Sequence, residues 1–231
     1  MIPLIDFHIH STFSDGLYDI MDIAAYALKK EFKVIGISDH FNTRKVRSIE
    51  PDKIKNYIEE IESLDLPIKI YKGIEIDFSP RTDLSLLRKT IFESIDYILF
   101  EYVNDSSMMG YPLWRLLEIY EDIGKPIGLA HNNIQKNFNS INREDFLDLL
   151  ETHNIFLEIN TNINYSILGE YYYSISEEFF KSIKGRSIPV SIGSDMHNNL
   201  EEMLNVKKGI KFVESLGIEE NVKLFMEILQ H

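Results

Sequence analysis

Residues 6–16 read DFHIHSTFSDG. Two histidines, His8 and His10, close a short apolar run and stand two residues apart. Residues i and i+2 of an extended strand face the same side, so both rings can reach one point beyond the strand's end. A strand that served only a core would have no use for two imidazoles there. The stretch therefore reads as the first strand of the fold with a metal-binding end.

The same pattern repeats downstream. Apolar, β-branched runs at Leu4–His8, Val34–Ser38, Ile68–Ile74, Tyr97–Tyr102, Ile127–Ala130, Ile155–Asn160 and Val190–Ser194 read as strands. Helical patterns lie between and after them, at Asp19–Glu31, Pro51–Leu64, Asp83–Glu93, Pro112–Ile123, Arg143–His153, Ser174–Lys184, Leu200–Leu216 and Glu219–Gln230. Pro51 and Pro112 suit a first helical turn, where a missing N–H costs nothing. Ser176 is a candidate N-cap, with Gly185 as the stop of the same helix. Regular alternation of strand and helix implies a parallel sheet with right-handed crossovers. Seven units in 231 residues fit an α/β fold, a seven-stranded (β/α)7 TIM-like barrel, read as one domain over residues 1–231. A doubly wound open sheet is the alternative. It is weakened because GxGxxG and GxxxxGK(S/T) are both absent.

In a parallel barrel the strand C-termini share one face, and that face carries the chemistry of barrel enzymes. Here those ends carry His8 and His10; Asp39 and His40; Glu75 and Asp77; Glu101; His131; Glu158, Asn160 and Asn162; and Asp195 and His197. Five of the seven histidines fall there, while His153 and His231 lie elsewhere and read as structural or solvated. Burying so many polar groups without compensation is costly, and metal ions compensate them directly. Imidazole with carboxylate and no sulfur suits Zn, Mn or Fe. One ion takes three or four protein ligands. The surplus of candidates points to two or three divalent transition metals, with Glu75 as the carboxylate that bridges.

At these residues the chain resembles the polymerase and histidinol phosphatase (PHP) domain family of metal-dependent phosphoesterases. The matching pieces are DFHIHSTFSDG, GISDH, GIEID, AHNN and SDMH, which run in the family's order from Asp6 to His197. The resemblance implies a distorted seven-stranded barrel, up to three divalent metals and phosphate-ester hydrolysis. Carried over by motif, it implies His8, His10, Glu75 and Asp195 on a first metal, with Glu75 bridging to a second that His131 helps hold. Asp15, His40 and His197 would hold a third, with Asp15 where many relatives have histidine. One departure stands out. Many relatives carry a histidine after the fourth strand, and the stretch DYILFEYVND puts Val103 at its place. Glu101, two residues earlier on the same strand face, is either a replacement ligand or an acid that pairs with a lysine.

Hydrolysis at such a centre requires acidified water, neutralised phosphate oxygens and a stabilised leaving group, and a multi-cation site serves all three. Three divalent ions against Asp15, Glu75, Glu101 and Asp195 leave a remainder of about +2 for a phosphate dianion. Candidate proton carriers are His197 and Asp39, acting through water. Arg44 and Arg47, in FNTRKVRS, are candidate phosphate or substrate contacts or simply a solvated basic loop. Asn132 and Asn160 are further candidate substrate contacts, and Tyr171–Tyr173 cover a surface or line a pocket rim.

The net charge of −13 argues against extended nucleic acid and favours a small phosphorylated substrate. There is no cysteine, so no disulfide or thiolate site forms. No apolar run reaches the ~18 residues of a membrane helix, and His8 and His10 come too early to leave room for a signal peptide. The expected location is cytoplasmic. Two other functions fit less of the pattern: a metal-dependent hydrolase of C–N or C–O acyl bonds, related by fold analogy alone, and a non-catalytic metal-binding domain.

Overall fold

Seven strands carry the chain around a ring. In the computed structural model, which describes residues 2–87 and 92–230, they are β1 (Ile5–Asp6), β2 (Val34–Ile37), β3 (Lys69–Asp77), β4 (Tyr97–Glu101), β5 (Ile127–Leu129), β6 (Phe156–Asn160) and β7 (Val190–Gly193). Each pairs in parallel with the next. The last returns to the first: Phe7 N donates to Ile192 O (2.9 Å), Asp195 N to His8 O (2.7 Å) and His10 N to Met196 O (2.9 Å). The result is a nearly closed α/β barrel, not an open doubly wound sheet.

The ring forms because these short runs are rich in isoleucine and bury both faces, as parallel strands require. Ile35, Ile37, Ile74, Ile76 and Ile98 are all fully buried. β3 runs beyond its expected end because the chain after β2 stays paired with it. Glu75 N donates to Asp39 O (3.0 Å) and Phe41 N to Glu75 O (2.9 Å). That extra pairing carries His40 and Glu75 side by side onto the rim.

Helices cover the outside. Ile20–Lys29 buries Ile20, Ile23, Ala24 and Ala27, the spacing of one helical face, and Asp19 caps it by accepting from Asp22 N at 2.7 Å. Some sequence signals lie differently from expectation. Pro51 falls in a turn ahead of the helix Ile54–Glu62. Pro112 is the N-cap of Leu113–Ile123, not a first-turn residue. Ser176 precedes Glu177–Ser182 but its side chain does not cap it; the hydroxyl is buried without a partner. Of the helix expected at Asp83–Glu93, the described residues show a 3-10 turn at Leu84–Leu86; residues 88–91 lie outside them, as does His231. Among the described residues no helix is long and apolar enough to cross a membrane.

Aromatic rings fill the barrel below the rim. Tyr97 points inward and donates to Phe7 O at 2.7 Å. Gly36 and Gly73 make room for it, since a Cβ on either would overlap the Tyr97 ring or hydroxyl. From the last helix, Glu219–Ile228, Phe225 packs on Phe7 (4.8 Å between ring centroids) and Phe156 (4.7 Å). The described interior is thus largely aromatic and aliphatic below, with its ionisable cluster at the strand C-termini.

Candidate metal centre

The rim gathers His8, His10, Asp15, His40, Glu75, Glu101, His131, Asp195 and His197 into one cluster, each within 4.0 Å of at least one other. Its deepest part is a knot of four donor atoms. His8 Nε2 and His10 Nε2 are 3.0 Å apart, and both lie 3.4 Å from Glu75 Oε2. Asp195 Oδ1 is 3.6 Å from the first ring nitrogen and 3.3 Å from the second. Tetrahedral donors bonded at about 2.0–2.1 Å stand about 3.4 Å apart, so His8, His10 and Glu75, whose donor atoms lie within 4.8 Å of one another, are spaced for one ion, with Asp195 beside both imidazoles. A second group lies nearer the opening. Asp15 Oδ1 is 3.4 Å from His197 Nε2 and 3.9 Å from His40 Nε2. Between the two groups, His131 Nε2 is 2.8 Å from Glu75 Oε1 and 3.9 Å from Glu101 Oε2, and His40 Nδ1 is 3.2 Å from Glu75 Oε2.

Unsatisfied atoms mark the same places. Asp195 Oδ1, Asp15 Oδ1 and His40 Nδ1 are buried without a hydrogen-bond partner. Native proteins rarely leave such atoms unpaired. Asp195 Oδ1 and Asp15 Oδ1 face the first and third donor groups, and the residues there fit divalent ions, while His40 Nδ1 faces Glu75 and Glu101.

A layer behind the donors sets their orientation. His8 Nδ1 donates to Glu158 Oε1 at 2.6 Å, which leaves the Nε2 lone pair directed at the knot. Glu158 also holds β5's end, accepting from His131 N at 2.6 Å. Burial pushes His8 towards the neutral form, but Glu158, Glu75 and Asp195 outweigh it and hold the ring's pKa well above the usual value. Glu158→Gln is expected to weaken metal binding by about 10–100-fold. Competition against a chromogenic chelator would read this directly, and unchanged affinity would remove Glu158 from the site.

Asp39 performs the corresponding task for His10. Its carboxylate accepts from Ser11 N (2.8 Å), Ser11 Oγ (2.6 Å), Ser14 N (3.1 Å) and Ser14 Oγ (2.5 Å). Ser14 Oγ, having given its proton to Asp39, can only accept from His10 Nδ1 at 3.4 Å. That fixes the proton on Nδ1 and leaves Nε2 free to ligate. Two candidate ligands have unusual backbone as well: His131 at φ +30° and Asp195 at φ +54°. Positive φ in a side-chain-bearing residue costs roughly 1–3 kcal/mol and gathers at functional sites.

Several expected residues lie apart from the cluster. Asp39 points at Ser11 and Ser14, and both its oxygens accept hydrogen bonds there. Arg44 is exposed, and Arg47 lines a separate pocket with Thr12, Phe13 and Lys53. Lys45, between them, lines the central cavity of about 390 Å³ together with His40, Glu75, Asp195 and His197. The flexible stem of a lysine lets one residue of a basic loop turn inward while its neighbours stay in water. Asn132 donates to Val103 O (2.9 Å) and accepts from Asn137 Nδ2 (2.6 Å); Asn160 donates to Glu158 (3.2 Å) and accepts from Asn162 N (2.9 Å). Their amides hold the rim's own backbone and carboxylates. Asp77 is held by Arg81 (2.6 Å). His153 caps the helix Arg143–Thr152, with its ring against Tyr120. Of the three tyrosines, Tyr172 lines a cleft beside the cavity, Tyr173 packs on Phe212, and Tyr171 accepts from Lys208. Tyr165, which sequence reading passed over, stacks on His131 with centroids 3.7 Å apart.

Comparison with known proteins agrees with this picture. A family model described as PHP domain matches residues 6–214. The DNA polymerase/3'-5' exonuclease PolX of Bacillus subtilis (strain 168) is 24% identical over 220 residues, covering 89% of this chain and 36% of the relative. The chain thus spans about a third of that protein's length. Among solved structures, the histidinol phosphate phosphatase of Lactococcus lactis subsp. lactis Il1403, complexed with zinc, L-histidinol and phosphate, matches with a TM-score of 0.68 at 15% identity. The match covers 94% of this chain and 95% of that one, and shows the same fold.

Proposed function

We propose that this chain, which belongs to the PHP domain family, is a metal-dependent phosphoesterase whose one hydrolase unit cleaves a small phosphate ester at the barrel rim. The observation that carries the reading is the knot of His8, His10 and Glu75, with donor atoms spaced for one ion, and beside it an Asp195 oxygen that has no other partner. Bound divalent ions, two or three of the Zn, Mn or Fe class, supply the positive charge that neutralises phosphoryl oxygens and acidifies water.

The chain's own residues do the rest. His8, His10, Glu75 and Asp195 would hold the first ion, and Asp15, His40 and His197 another. Glu75 lies between them and, through Oε1, faces His131. Of the two groups expected to move protons, Asp39 is fully hydrogen-bonded elsewhere and His197 alone faces the cavity, with its side chain 23% exposed. In the ion-free chain burial opposes its charge, but the Asp15 carboxylate at 3.4 Å and that of Asp195 at 3.3 Å outweigh it and raise its pKa to about 9. Lys45 adds a cation at the same opening.

Two features support a small substrate. The cavity of about 390 Å³ holds a compact molecule, and a chain of net charge −13 repels an extended polyanion. The test is a panel of phosphomonoesters, phosphodiesters, an oligonucleotide, amides and lactones, offered to protein loaded with Zn, Mn or Fe. Phosphate release from small monoesters, at kcat/KM about 10-fold or more above the oligonucleotide, is the expected result. Cleavage of amides or lactones with no phosphate from any ester would overturn the reading.

A further inference from the structure

The three donor groups on the rim are not equivalent. At the first and third positions a ligand oxygen is left without a partner, Asp195 Oδ1 in one and Asp15 Oδ1 in the other. At the second position the fully buried carboxylate of Glu101 already has a cation. Lys45 Nζ contacts Glu101 Oε2 at 2.9 Å and Oε1 at 3.3 Å, and is held in turn by the Tyr102 hydroxyl. The same two oxygens are the ones near His131 Nε2 (3.9 Å) and His40 Nδ1 (3.8 Å).

A divalent ion at the second position therefore meets a different situation from one at the other two. It must take Glu101 from an ammonium, and it must do so against that ammonium's own positive charge. His40 Nδ1 is also buried without a partner there, but a ring that serves the third position through Nε2 carries its proton on Nδ1. Ammonium and metal are alternative counter-ions for one carboxylate.

We propose that Lys45 occupies the second position as the counter-ion of Glu101, so that the protein tightly retains two divalent ions and admits a third only when Lys45 is displaced. This rests on the metal-centre part of the proposed function and sets its ion count. Removing the ammonium while keeping its apolar stem, by Lys45→Met, frees Glu101. Lys45→Arg keeps the charge and the pairing.

The test is ion stoichiometry. Metal-free protein is saturated with Zn²⁺, desalted, and analysed for zinc per chain. The expected counts are two for the parent, three for Lys45→Met and two for Lys45→Arg. A parent that keeps three, or a folded Lys45→Met variant that keeps two, overturns the inference and leaves the phosphoesterase reading in place. A parent that keeps fewer than two removes the metal centre on which both stand. A second measurement needs no variant: acylation of Lys45 in the parent, followed by mass spectrometry while zinc is raised to millimolar. Its labelling rate should rise about threefold or more as the ammonium leaves Glu101, and a rate that stays level or falls overturns the inference independently.

Discussion

Asp195→Asn is expected to lower kcat/KM by about 10³-fold or more, roughly 4 kcal/mol of transition-state stabilisation, while leaving the metal-free protein as stable as its parent or more so. The two effects run in opposite directions because Asp195 is a buried acid with an unpartnered oxygen. Burial pushes its carboxyl pKa up even with His8 and His197 beside it. Such a group burdens the empty fold, and an amide of the same shape lifts that burden. The amide also removes one ligand and one negative charge from the knot formed with His8, His10 and Glu75. Elemental analysis should show at least one ion lost per chain, and urea unfolding in chelator should show no loss of stability. Full metal content and activity in the variant would mean that the knot is not the first metal position.

Asp39→Ala should act through the fold. It strips four accepted hydrogen bonds from the Ser11–Ser14 turn and leaves buried donors unpaired, at a cost of about 3–5 kcal/mol by urea unfolding. Ser14 then loses the partner that makes it an acceptor for His10, so ion affinity should fall as well. Asp39→Asn separates this from catalysis. If Asp39 were a proton donor, the amide would abolish turnover with stability intact. Acting as an anchor, it should lose stability first, because an amide cannot accept all four bonds.

Much of the barrel was legible because its signals are local. Each strand is a short buried run, each run ends in polar residues, and parallel topology alone brings those ends together. His8, His10, Glu75, His131 and Asp195 could be named for that reason. What escaped was what depends on direction. Asp39 stands next to His40, yet one faces the serine turn and the other the rim. Arg44 and Arg47 are more conspicuous than Lys45, but only Lys45 reaches Glu101, a residue 56 positions away. Glu158 was visible at the end of β6; its partnership with His8, 150 positions away, was not. The positive φ of His131 and Asp195 left no mark in composition, since neither is glycine.

The seam between β1 and β7 has a consequence in time. His8 and His10 are made first, and Asp195 and His197 follow roughly 185 residues later. At a synthesis rate of about 5–20 residues per second, that gap is on the order of 10–40 s. Through that interval a nascent chain exposes an incomplete chelating set, which gains Asp15, His40, Glu75, Glu101 and His131 on the way and is closed by Asp195 and His197. Ion capture therefore follows translation of β7, and an ion that binds only the shut ring acts as its latch, with a holding power that rises with free metal concentration.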